Sequence, residues 1–511
     1  MSLGVVSEGS VRMEGVKDGD AVSTGVPGLD YVTAGGYARA SLHLLEGAPG
    51  AGKTTMSLQF LMDGRDRGER GLYISLSETR EELLNNAKTH GWSLDGIDIF
   101  ELIPPELTLD PEQDQTVLYA SDLELGETVS MVMKEVERLK PQRVVFDSVS
   151  EIRLLSQSPL RHRRQVLALK HFIAKMGCTA LFLDDLTQEV EETSLHSLAH
   201  AVIRLQHSPR AFGGDRRRLR IYKMRGREYR GGYHDFVIHT GGVTVYPRLI
   251  AAEHHAAYQD DVPASSGIRE LDKLLGGGLD RGTGTLVIGP AGSGKSMLCL
   301  QFLNTAIERG EKGLIMSFDE SRRVMLRRAM GVGIDLAAHE AAGRLAMEHV
   351  DPAELSPGEL TGRISRHVEQ GARMVIIDSL TGYQNALPEE NFLALQMHEL
   401  LSYLGQQGVI TLVLLAQHGL IGQMHTPVDL TYVSDNVLML RFFEARGQIR
   451  RALSVLKKRT GGHESTIREF LIDGRGLQVG PVLDEFQGVL TGVPSFSGGA
   501  GALLEARKNG G

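Results

Sequence analysis

The chain is long enough, at 511 residues, for two to four ordinary domains. Hydrophobic residues make up 41% and charged residues 23%, as in soluble globular proteins, and the formal net charge of −9 argues against general attraction to nucleic acid. The two cysteines, Cys178 and Cys299, exclude a disulfide framework and fit a reducing compartment. Because no apolar run in the sequence has the length of a membrane span or a signal core, we expect a cytoplasmic protein with no membrane contact.

The sequence contains an internal duplication. The stretch STGVPGLDYVTAGG from Ser23 recurs as SSGIRELDKLLGGG from Ser265, and further pairs of motifs follow at a nearly constant offset. Because the period is much longer than that of a solenoid repeat, each copy is expected to be a whole domain. The predicted division is an N-terminal arm at 1–22, a first domain at 23–250, a linker at 251–264, a second domain at 265–494 and a disordered tail at 495–511.

Both copies alternate short apolar runs with longer helical patterns. The apolar runs include SLHLLEG, GLYISLS and TALFLDD in the first copy and TLVIG, GLIMSFD and VITLVLLA in the second. Continuous apolar runs bounded by turns or charges are typical of strands that are buried on both faces of a parallel sheet. Each copy then ends in strand-rich sequence with hairpin features. The sequence therefore predicts two α/β domains with mostly parallel sheets and antiparallel additions.

Two segments match the pattern G-x-x-x-x-G-K-[ST], and each lies between a predicted strand and a predicted helix. In such a P-loop the glycines let backbone N–H groups converge on phosphate oxygens, while the lysine reaches the β- and γ-phosphates. A glycine-rich turn that happens to precede a lysine is the alternative, but two matches in phase with the duplication favour ATP binding. The predicted ATP-binding residues are Gly47, Gly50, Gly52, Lys53 and Thr54 in the first copy and Gly289, Gly292, Gly294, Lys295 and Ser296 in the second.

Ligands for Mg²⁺ are predicted in the same loops and at the end of a later strand. The hydroxyls of Thr54 and Ser296 can contact the ion, and Asp147 and Asp378 end apolar strands at the place where P-loop ATPases hold it. The alternative is that each aspartate caps the helix that follows.

A carboxylate follows the P-loop helix in each copy. Glu78 and Glu320 end the next predicted strand, where a carboxylate can polarise the water that attacks the γ-phosphate. The alternative is a capping role for the following helix, because a threonine or a serine comes next in each case. The two roles are compatible, and both glutamates are predicted to be catalytic.

Paired cations occur late in each copy, on strand-like sequence. Lys223 and Arg225 in the first copy match Lys457 and Arg459 in the second, and both pairs lie far from their own P-loops. Such cations can reach the γ-phosphate bound by a neighbouring subunit, in the manner of an arginine finger. A solvated basic strand and a nucleic-acid patch are the alternatives, because the first copy carries further arginines nearby.

The duplicated order S-[ST]-G-x-x-x-L-D, P-loop, [SD]-E-[TS], [FI]-D-S and K-x-R-[GT] resembles the KaiC family of circadian-clock ATPases, from about Ser23 to Pro494. The resemblance implies two RecA-like P-loop domains per subunit, stacked into double-ring homohexamers that hold ATP between adjacent subunits. It also implies ATPase activity in the N-terminal ring. For the C-terminal ring it implies serine/threonine autokinase and autophosphatase activity, with phosphate on an adjacent Ser-Thr pair.

The family's catalytic carboxylates match this sequence unequally. The first Glu-Glu pair of the family is Ser77–Glu78 here, so that Glu78 would act without a second carboxylate. The second pair is Asp319–Glu320, in which both residues are acidic. By this resemblance Asp319 joins Glu320 as a predicted catalytic residue.

The family's phosphorylated pair matches Thr431–Tyr432. Thr431 has the expected kind of hydroxyl and is the predicted phosphosite, whereas the hydroxyl of Tyr432 lies several ångströms farther from the backbone. Thr426 and Ser434 are nearby hydroxyls that could replace or support it.

Three functions remain open from the sequence. The first is a KaiC-like ATPase and autokinase that acts in timing or signalling, assembles with itself and has small clock or signalling proteins as partners. The second is a nucleic-acid motor or recombinase of the wider RecA superfamily, which the net charge of −9 disfavours. The third is an ATP-dependent scaffold without kinase activity.

Overall fold

The computed structural model describes residues 21–102, 120–156, 158–186, 193–210, 212–254, 262–387, 393–417, 431–445, 447–490 and 495–496. These residues divide into two units, with the main boundary in the chain between Arg248 and Leu249. Most of the predicted N-terminal arm and tail, together with Thr426, lies outside the described residues. Within the described residues, no helix combines the length and the apolar character that crossing a membrane requires.

The first unit is built on a sheet of nine described strands, with a short antiparallel strand pair at its start. The short pair is β1 (Ala21–Val22) with β2 (Tyr37–Ala38), and the sheet strands are β3 (Leu42–Gly47), β4 (Gly71–Ser75), β5 (Ile97–Glu101), β6 (Arg143–Asp147), β7 (Thr179–Asp185), β8 (Ala201–Ser208), β9 (Arg216–Met224), β10 (His234–His239) and β11 (Gly242–Tyr246). Their spatial order is β11-β10-β9-β8-β3-β7-β6-β4-β5. The strands from β8 to β5 pair in parallel, and β9, β10 and β11 extend the β8 edge in antiparallel pairing.

Helices connect these strands and cover the sheet. They are α1 (Leu29–Val32), α2 (Lys53–Asp66), α3 (Arg80–Thr89), α4 (Ala120–Leu139), α5 (Val149–Leu155), α6 (Pro159–Met176) and α7 (Thr193–Leu198). Leu45, Val145 and Leu181 belong to the core on one face of the sheet, and Leu44 and Phe182 belong to the core on the other. Because these strands have a core on each face, their sequences are continuous apolar runs.

The second unit repeats this architecture. Its sheet strands are β12 (Gly284–Gly289), β13 (Lys312–Ser317), β14 (Leu345–His349), β15 (Ala372–Asp378), β16 (Ile410–Ala416), β17 (Asn436–Ala445), β18 (Gln448–Lys458), β19 (Ile467–Asp473) and β20 (Gly476–Val482), followed by the short pair β21 (Phe486–Gln487) and β22 (Ser495–Phe496). Its helices are α8 (Arg269–Leu274), α9 (Lys295–Glu308), α10 (Arg322–Met330), α11 (Leu336–Ala341), α12 (Pro357–Glu369), α13 (Leu380–Asn385) and α14 (Leu393–Gln406), preceded by a 3-10 turn at Ala251–Glu253.

The spatial order of the second sheet is β14-β13-β15-β16-β12-β17-β18-β19-β20. Strands β14 to β17 pair in parallel, and β18, β19 and β20 are the antiparallel addition. The predicted fold class, two tandem α/β domains with mostly parallel sheets and antiparallel additions, is confirmed.

The strand registers define which residues of the two domains are equivalent. Gly47 at the end of β3 lies opposite Asp185 of β7, and Gly289 at the end of β12 lies opposite Ala416 of β16. In both sheets the carboxyl ends of the parallel strands meet at one edge, which is where α/β domains bind ligands.

Candidate nucleotide-binding sites

Each P-loop joins the central strand of its sheet to the helix that follows. Helices α2 and α9 begin at the P-loop lysines, directly after Gly52 and Gly294, which have φ values of 101° and 105°. A Cβ atom at Gly52 would lie 2.7 Å from Cδ1 of Ile238, and one at Gly294 would lie 2.6 Å from Cδ1 of Ile472. The last P-loop glycine is therefore required in both copies, by its backbone conformation and by the close contact.

The two P-loop lysines are held in the same way. Nζ of Lys53 donates to the carbonyl oxygens of Gly47 at 2.8 Å and Ala48 at 3.0 Å, and Nζ of Lys295 donates to those of Gly289 at 2.8 Å and Pro290 at 2.9 Å. The side chains thus fold back over their loops, with the charged groups at the positions where phosphates are bound in P-loop proteins.

In the first domain the predicted residues surround one cavity of about 800 Å³. Those that line it are Gly50, Gly52, Lys53, Thr54, Glu78 and Asp147. In the second domain a cavity of about 430 Å³ is lined by Gly292, Gly294, Lys295 and Ser296, whereas Asp319, Glu320 and Asp378 do not line it. The structure thus brings the predicted phosphate, metal and catalytic residues together more completely in the first domain.

Asp147 and Asp378 end β6 and β15, beside the P-loops. Burial raises the pKa of Asp147, and its carboxylate accepts a 2.5 Å hydrogen bond from the hydroxyl of Tyr73, which works against that rise. Burial also raises the pKa of Asp378, and a hydrogen bond from Ser296 opposes the increase. The capping alternative does not describe these aspartates, because the N-cap residues of α5 and α13 are Ser148 and Ser379.

Glu78 follows β4 at the edge of the first cavity. Burial raises the pKa of its carboxyl group, and the negative charges of Asp147, Glu82 and Asp185 raise it further. Its Oε2 atom is buried and has no hydrogen-bond partner among the described residues. The helix cap is Thr79, which forms a capping box with Glu82, so Glu78 is not occupied by that role.

The carboxylates of the second domain have partners. Glu320 forms a 2.7 Å ion pair with Arg328, whose charge lowers the pKa of the glutamate against the larger raising effect of burial. Asp319 accepts a 2.6 Å hydrogen bond from the hydroxyl of Ser379. In the first domain Ser77 replaces this aspartate, and the buried hydroxyl of the equivalent Ser148 has no hydrogen-bond partner in the part of the chain that the structure describes.

Lys223 lies on β9 and Arg225 just after it, and Lys457 lies on β18 and Arg459 just after it. None of these cations lines either cavity. Lys223 donates to the carbonyl oxygens of His196 at 2.5 Å and Ala199 at 3.0 Å, and Arg225 donates to that of Ser197 at 2.6 Å. These contacts place the first cation pair against the chain segment that leads into β8.

The second cation pair makes the equivalent contacts in its own domain. Lys457 donates to the carbonyl oxygens of Thr431 at 2.8 Å and Ser434 at 2.7 Å. Arg459 donates to the carbonyl oxygen of Tyr432 at 3.2 Å and pairs with Asp435 at 3.1 Å. The predicted phosphosite and the predicted trans contacts therefore lie together.

Several residues around the cavities were not predicted from the sequence. In the first domain they include Glu46, Asp184, Asp185, His196 and Arg204, and in the second they include Arg328, Arg451 and Asp473. The two acids that end the run TALFLDD were a usable signal, because the carboxyl end of an inner parallel strand faces the ligand edge.

Comparison with known proteins agrees with this geometry. The family model "ATPase: KaiC" matches residues 22–250 and again residues 264–484. The circadian clock protein KaiC3 of Synechocystis is 26% identical over 94% of this chain and 95% of its own length. The circadian clock oscillator protein KaiC of Parasynechococcus marenigrum is 27% identical over 96% of this chain and 95% of its own, and that of Synechococcus elongatus is 25% identical over 92% and 91%. The resemblance found in the sequence is thus confirmed: the chain belongs to the KaiC family of ATPases and carries the family domain twice.

Proposed function

We propose that this ATPase assembles into a double-ring homohexamer, hydrolyses ATP in its first domain, and phosphorylates and dephosphorylates Thr431 in its second domain. The observation that carries the proposal is the contact of Lys457 with the backbone of Thr431. If Lys457 and Arg459 contact ATP of an adjacent subunit, they bring the Thr431 hydroxyl to that ATP as well. The similarity to circadian clock proteins supports a role in timing or signalling, with small clock or signalling proteins as partners.

Each site is proposed to hold ATP through its P-loop, with Lys53 or Lys295 on the β- and γ-phosphates. Mg²⁺ is proposed to bind Thr54 and Asp147 in the first domain and Ser296 and Asp378 in the second. These donors are hard oxygens of the kind that Mg²⁺ prefers, and the hydroxyl of Ser296 is adjacent to the carboxylate of Asp378. When bound, the ion neutralises negative charge on the β- and γ-phosphates.

The two domains are proposed to differ in the nucleophile that attacks the γ-phosphate, which is water in the first domain and the Thr431 hydroxyl in the second. In the first domain Glu78 is proposed to accept a proton from the water that attacks the γ-phosphate. The raised pKa of Glu78 suits a proton acceptor, and so does its buried oxygen, which has no hydrogen-bond partner among the described residues. In the second domain Glu320, with Asp319 beside it, is proposed to accept the proton of the Thr431 hydroxyl. The Thr431 oxygen forms a bond to the γ-phosphorus, the bond from that phosphorus to the bridging oxygen breaks, and ADP leaves.

The cation pairs support a ring, because neither pair lines its own P-loop cavity. A group far from its own nucleotide and equivalent in both copies is explained by contact with the nucleotide of a neighbour. We expect Arg225→Ala to weaken ATP-dependent assembly or turnover of the first ring, and Arg459→Ala to reduce phosphorylation of Thr431.

Intact mass measured after incubation with Mg-ATP tests the kinase proposal, and light scattering with and without ATP tests the ring. A mass gain of one phosphate and an ATP-dependent hexamer of the 55.8 kDa chain are expected. An unmodified hexamer would indicate an ATP-dependent scaffold instead. A monomer at saturating ATP would contradict both the ring and the trans role of Arg225 and Arg459.

A further inference from the structure

The two P-loop lysines differ in one partner. Nζ of Lys53 lies 2.7 Å from Oδ1 of Asp185, in addition to its two contacts with loop carbonyl groups. Lys295 makes the same two carbonyl contacts but no ion pair within the part of the chain that the structure describes. An ammonium group has three N–H donors, so all three donors of Lys53 have acceptors.

Asp185 and Ala416 are equivalent residues by two independent measures. Gly47 lies opposite Asp185 in the first sheet, and Gly289 lies opposite Ala416 in the second. The backbone N–H of Asp185 donates to the hydroxyl of Ser150 at 2.9 Å, and that of Ala416 donates to the hydroxyl of Thr381 at 2.8 Å. The backbone is therefore the same in both domains, and the carboxylate is the difference.

The first cavity is also rich in negative charge. Its lining includes Glu46, Glu78, Asp147, Glu151, Asp184 and Asp185. Three of these carboxylates have a cation partner, because Asp184 pairs with Arg153, Glu46 pairs with Arg204 and Asp185 pairs with Lys53. The second cavity is lined by the cations Lys295, Arg328 and Arg451 and the single acid Asp473. The first cavity also contains the cations Lys53, Arg153 and Arg204, but its lining remains more acidic than that of the second.

We propose that Asp185 sets the nucleotide affinity of the first site by holding the P-loop lysine. Its carboxylate competes with the phosphates for Nζ of Lys53 and places a fixed negative charge beside them. The inference rests on the proposed phosphate-binding role of Lys53. It makes Asp185 a positioning residue, and the second site, which has Ala416 at the equivalent position, has no carboxylate there to compete for Lys295.

The burial of the pair makes the competition effective. The Lys53 side chain is 8% exposed and that of Asp185 is 32% exposed, so the pair lies partly out of water, where opposite charges attract each other more strongly. The charge of Asp185 also reaches its neighbours. After burial, which is the larger cause, it contributes to the raised pKa values of Glu78 and Glu151.

The test uses the full chain with Lys295→Ala, so that only the first site binds nucleotide. This chain is titrated with the non-hydrolysable analogue AMP-PNP, and binding is measured by calorimetry. Asp185→Asn keeps an acceptor for Lys53 but removes the charge, and we expect about tenfold tighter binding. The gain should be larger without Mg²⁺, because the ion otherwise screens the phosphates from the carboxylate. Asp185→Glu restores the charge and should return the affinity toward that of the parent.

The reciprocal change provides the matched control. In the chain with Lys53→Ala, Ala416→Asp should weaken AMP-PNP binding at the second site by about tenfold. Glu151→Gln removes from the first cavity a charge that does not contact Lys53. We therefore expect it to change the AMP-PNP affinity of the first site less than Asp185→Asn does.

The outcomes separate the inference from the proposed function. Unchanged affinity in Asp185→Asn, or weaker binding only in the presence of Mg²⁺, would overturn the inference, since the second result would mean that Asp185 helps to hold the ion. An equal gain in Glu151→Gln would overturn it too, because the effect would then be general electrostatics. A first site that binds no AMP-PNP in any variant would instead overturn the proposed nucleotide site itself.

Discussion

At the last position before each P-loop, the first domain has Glu46 and the second has Ile288. On the neighbouring strand β8 Arg204 lies opposite Glu46, and on the equivalent strand β17 Met439 lies opposite Ile288. On the other neighbouring strand, which is β7 in the first domain and β16 in the second, the acidic Asp185 is replaced by Ala416. These three strand positions beside the P-loop are thus charged in one copy and apolar in the other, while the strand registers are the same.

This comparison shows which features the fold itself requires. The glycines and the lysine of each P-loop depend on the backbone that joins a central strand to a helix, and both copies keep them. The side chains beside the loop are not constrained by that backbone, so they can set the affinity and the chemistry of each site separately. Two copies of one domain can therefore bind the same ligand and act differently on it.

Replacing either P-loop lysine with alanine should have the largest effect and would separate the two sites. Each change removes a charge-assisted contact with the phosphates, which we expect to lower the reaction at that site by about a hundredfold or more. Lys53→Ala should mainly reduce steady-state ATP hydrolysis and assembly, and Lys295→Ala should abolish self-phosphorylation while part of the ATPase remains. Phosphate release and label incorporation measure the two activities. Equal loss of every activity in both variants would argue against separate roles.

Replacing the predicted bases should affect the two domains through different reactions. We expect Glu78→Gln to slow ATP hydrolysis by about a hundredfold and Glu320→Gln to slow phosphorylation of Thr431 similarly. A base acts when deprotonated, and the pKa of Glu78 is raised by burial and by Asp147. Hydrolysis in the first domain should therefore fall, as the pH is lowered, at a higher pH than an ordinary glutamate would give. A pH–rate profile of the chain with Lys295→Ala measures this, and a profile that Glu78→Gln leaves unchanged would contradict the assignment.

Much of the two candidate sites could be predicted from the sequence. The P-loops, Asp147, Asp378, Glu78 and Glu320 each lie at a strand end or loop that local patterns define, and the duplication repeats every one of them. The capping alternatives could not be decided from sequence, because an acid and a following hydroxyl residue fit either role. The structure assigns the caps to Thr79 and Ser321.

The partners of these residues could not be predicted for a physical reason. The contact of Lys53 with Asp185 depends on β7 lying beside β3, although many residues and three other strands separate them in the chain. The contact of Glu46 with Arg204 depends in the same way on β8 lying on the other side. Local patterns predict strands, and the order of strands in a sheet is a property of the whole fold.

Phosphorylation should be confined to one of the two adjacent hydroxyl residues, Thr431 and Tyr432. Thr431→Ala is expected to remove most of the label, and Tyr432→Phe is expected to keep it. Phosphoryl transfer needs the nucleophile in line with the phosphorus, and misplacement by about 1 Å can cost roughly a hundredfold. The Tyr432 hydroxyl lies across a whole ring from its Cβ, and the residue is 62% exposed. Phosphopeptide mass spectrometry decides between the two, and phosphate mainly on Tyr432 would contradict the prediction.

The smallest net effect on stability is expected when Glu46 and Arg204 of the first domain are replaced with the residue types of the second domain, as in Ile288 and Met439. The Glu46 side chain is 1% exposed and pairs with Arg204 at 2.6 Å and with His196 at 2.8 Å. Arg204→Met alone should destabilise the domain by about 3 kcal/mol, because it leaves a buried carboxylate with half of its partners. Adding Glu46→Ile should recover most of that loss, since an apolar pair of similar volume replaces a buried ion pair at a cost of about 1 kcal/mol or less.

Urea unfolding followed by tryptophan fluorescence measures this prediction in the full chain. The single tryptophan, Trp92, packs against the core of the first unit and therefore reports on that domain alone. Burial acts to raise the pKa of Glu46, but His196 and Arg204 outweigh it and lower the pKa overall. A lowered folded-state pKa contributes stability above the pKa of the unfolded glutamate, and this contribution disappears as the pH falls through the folded value. The variant with both changes should lack this loss in acid. If it were as unstable as Arg204→Met alone, the packing of the first domain, rather than the charge pair, would distinguish it from the second at this position.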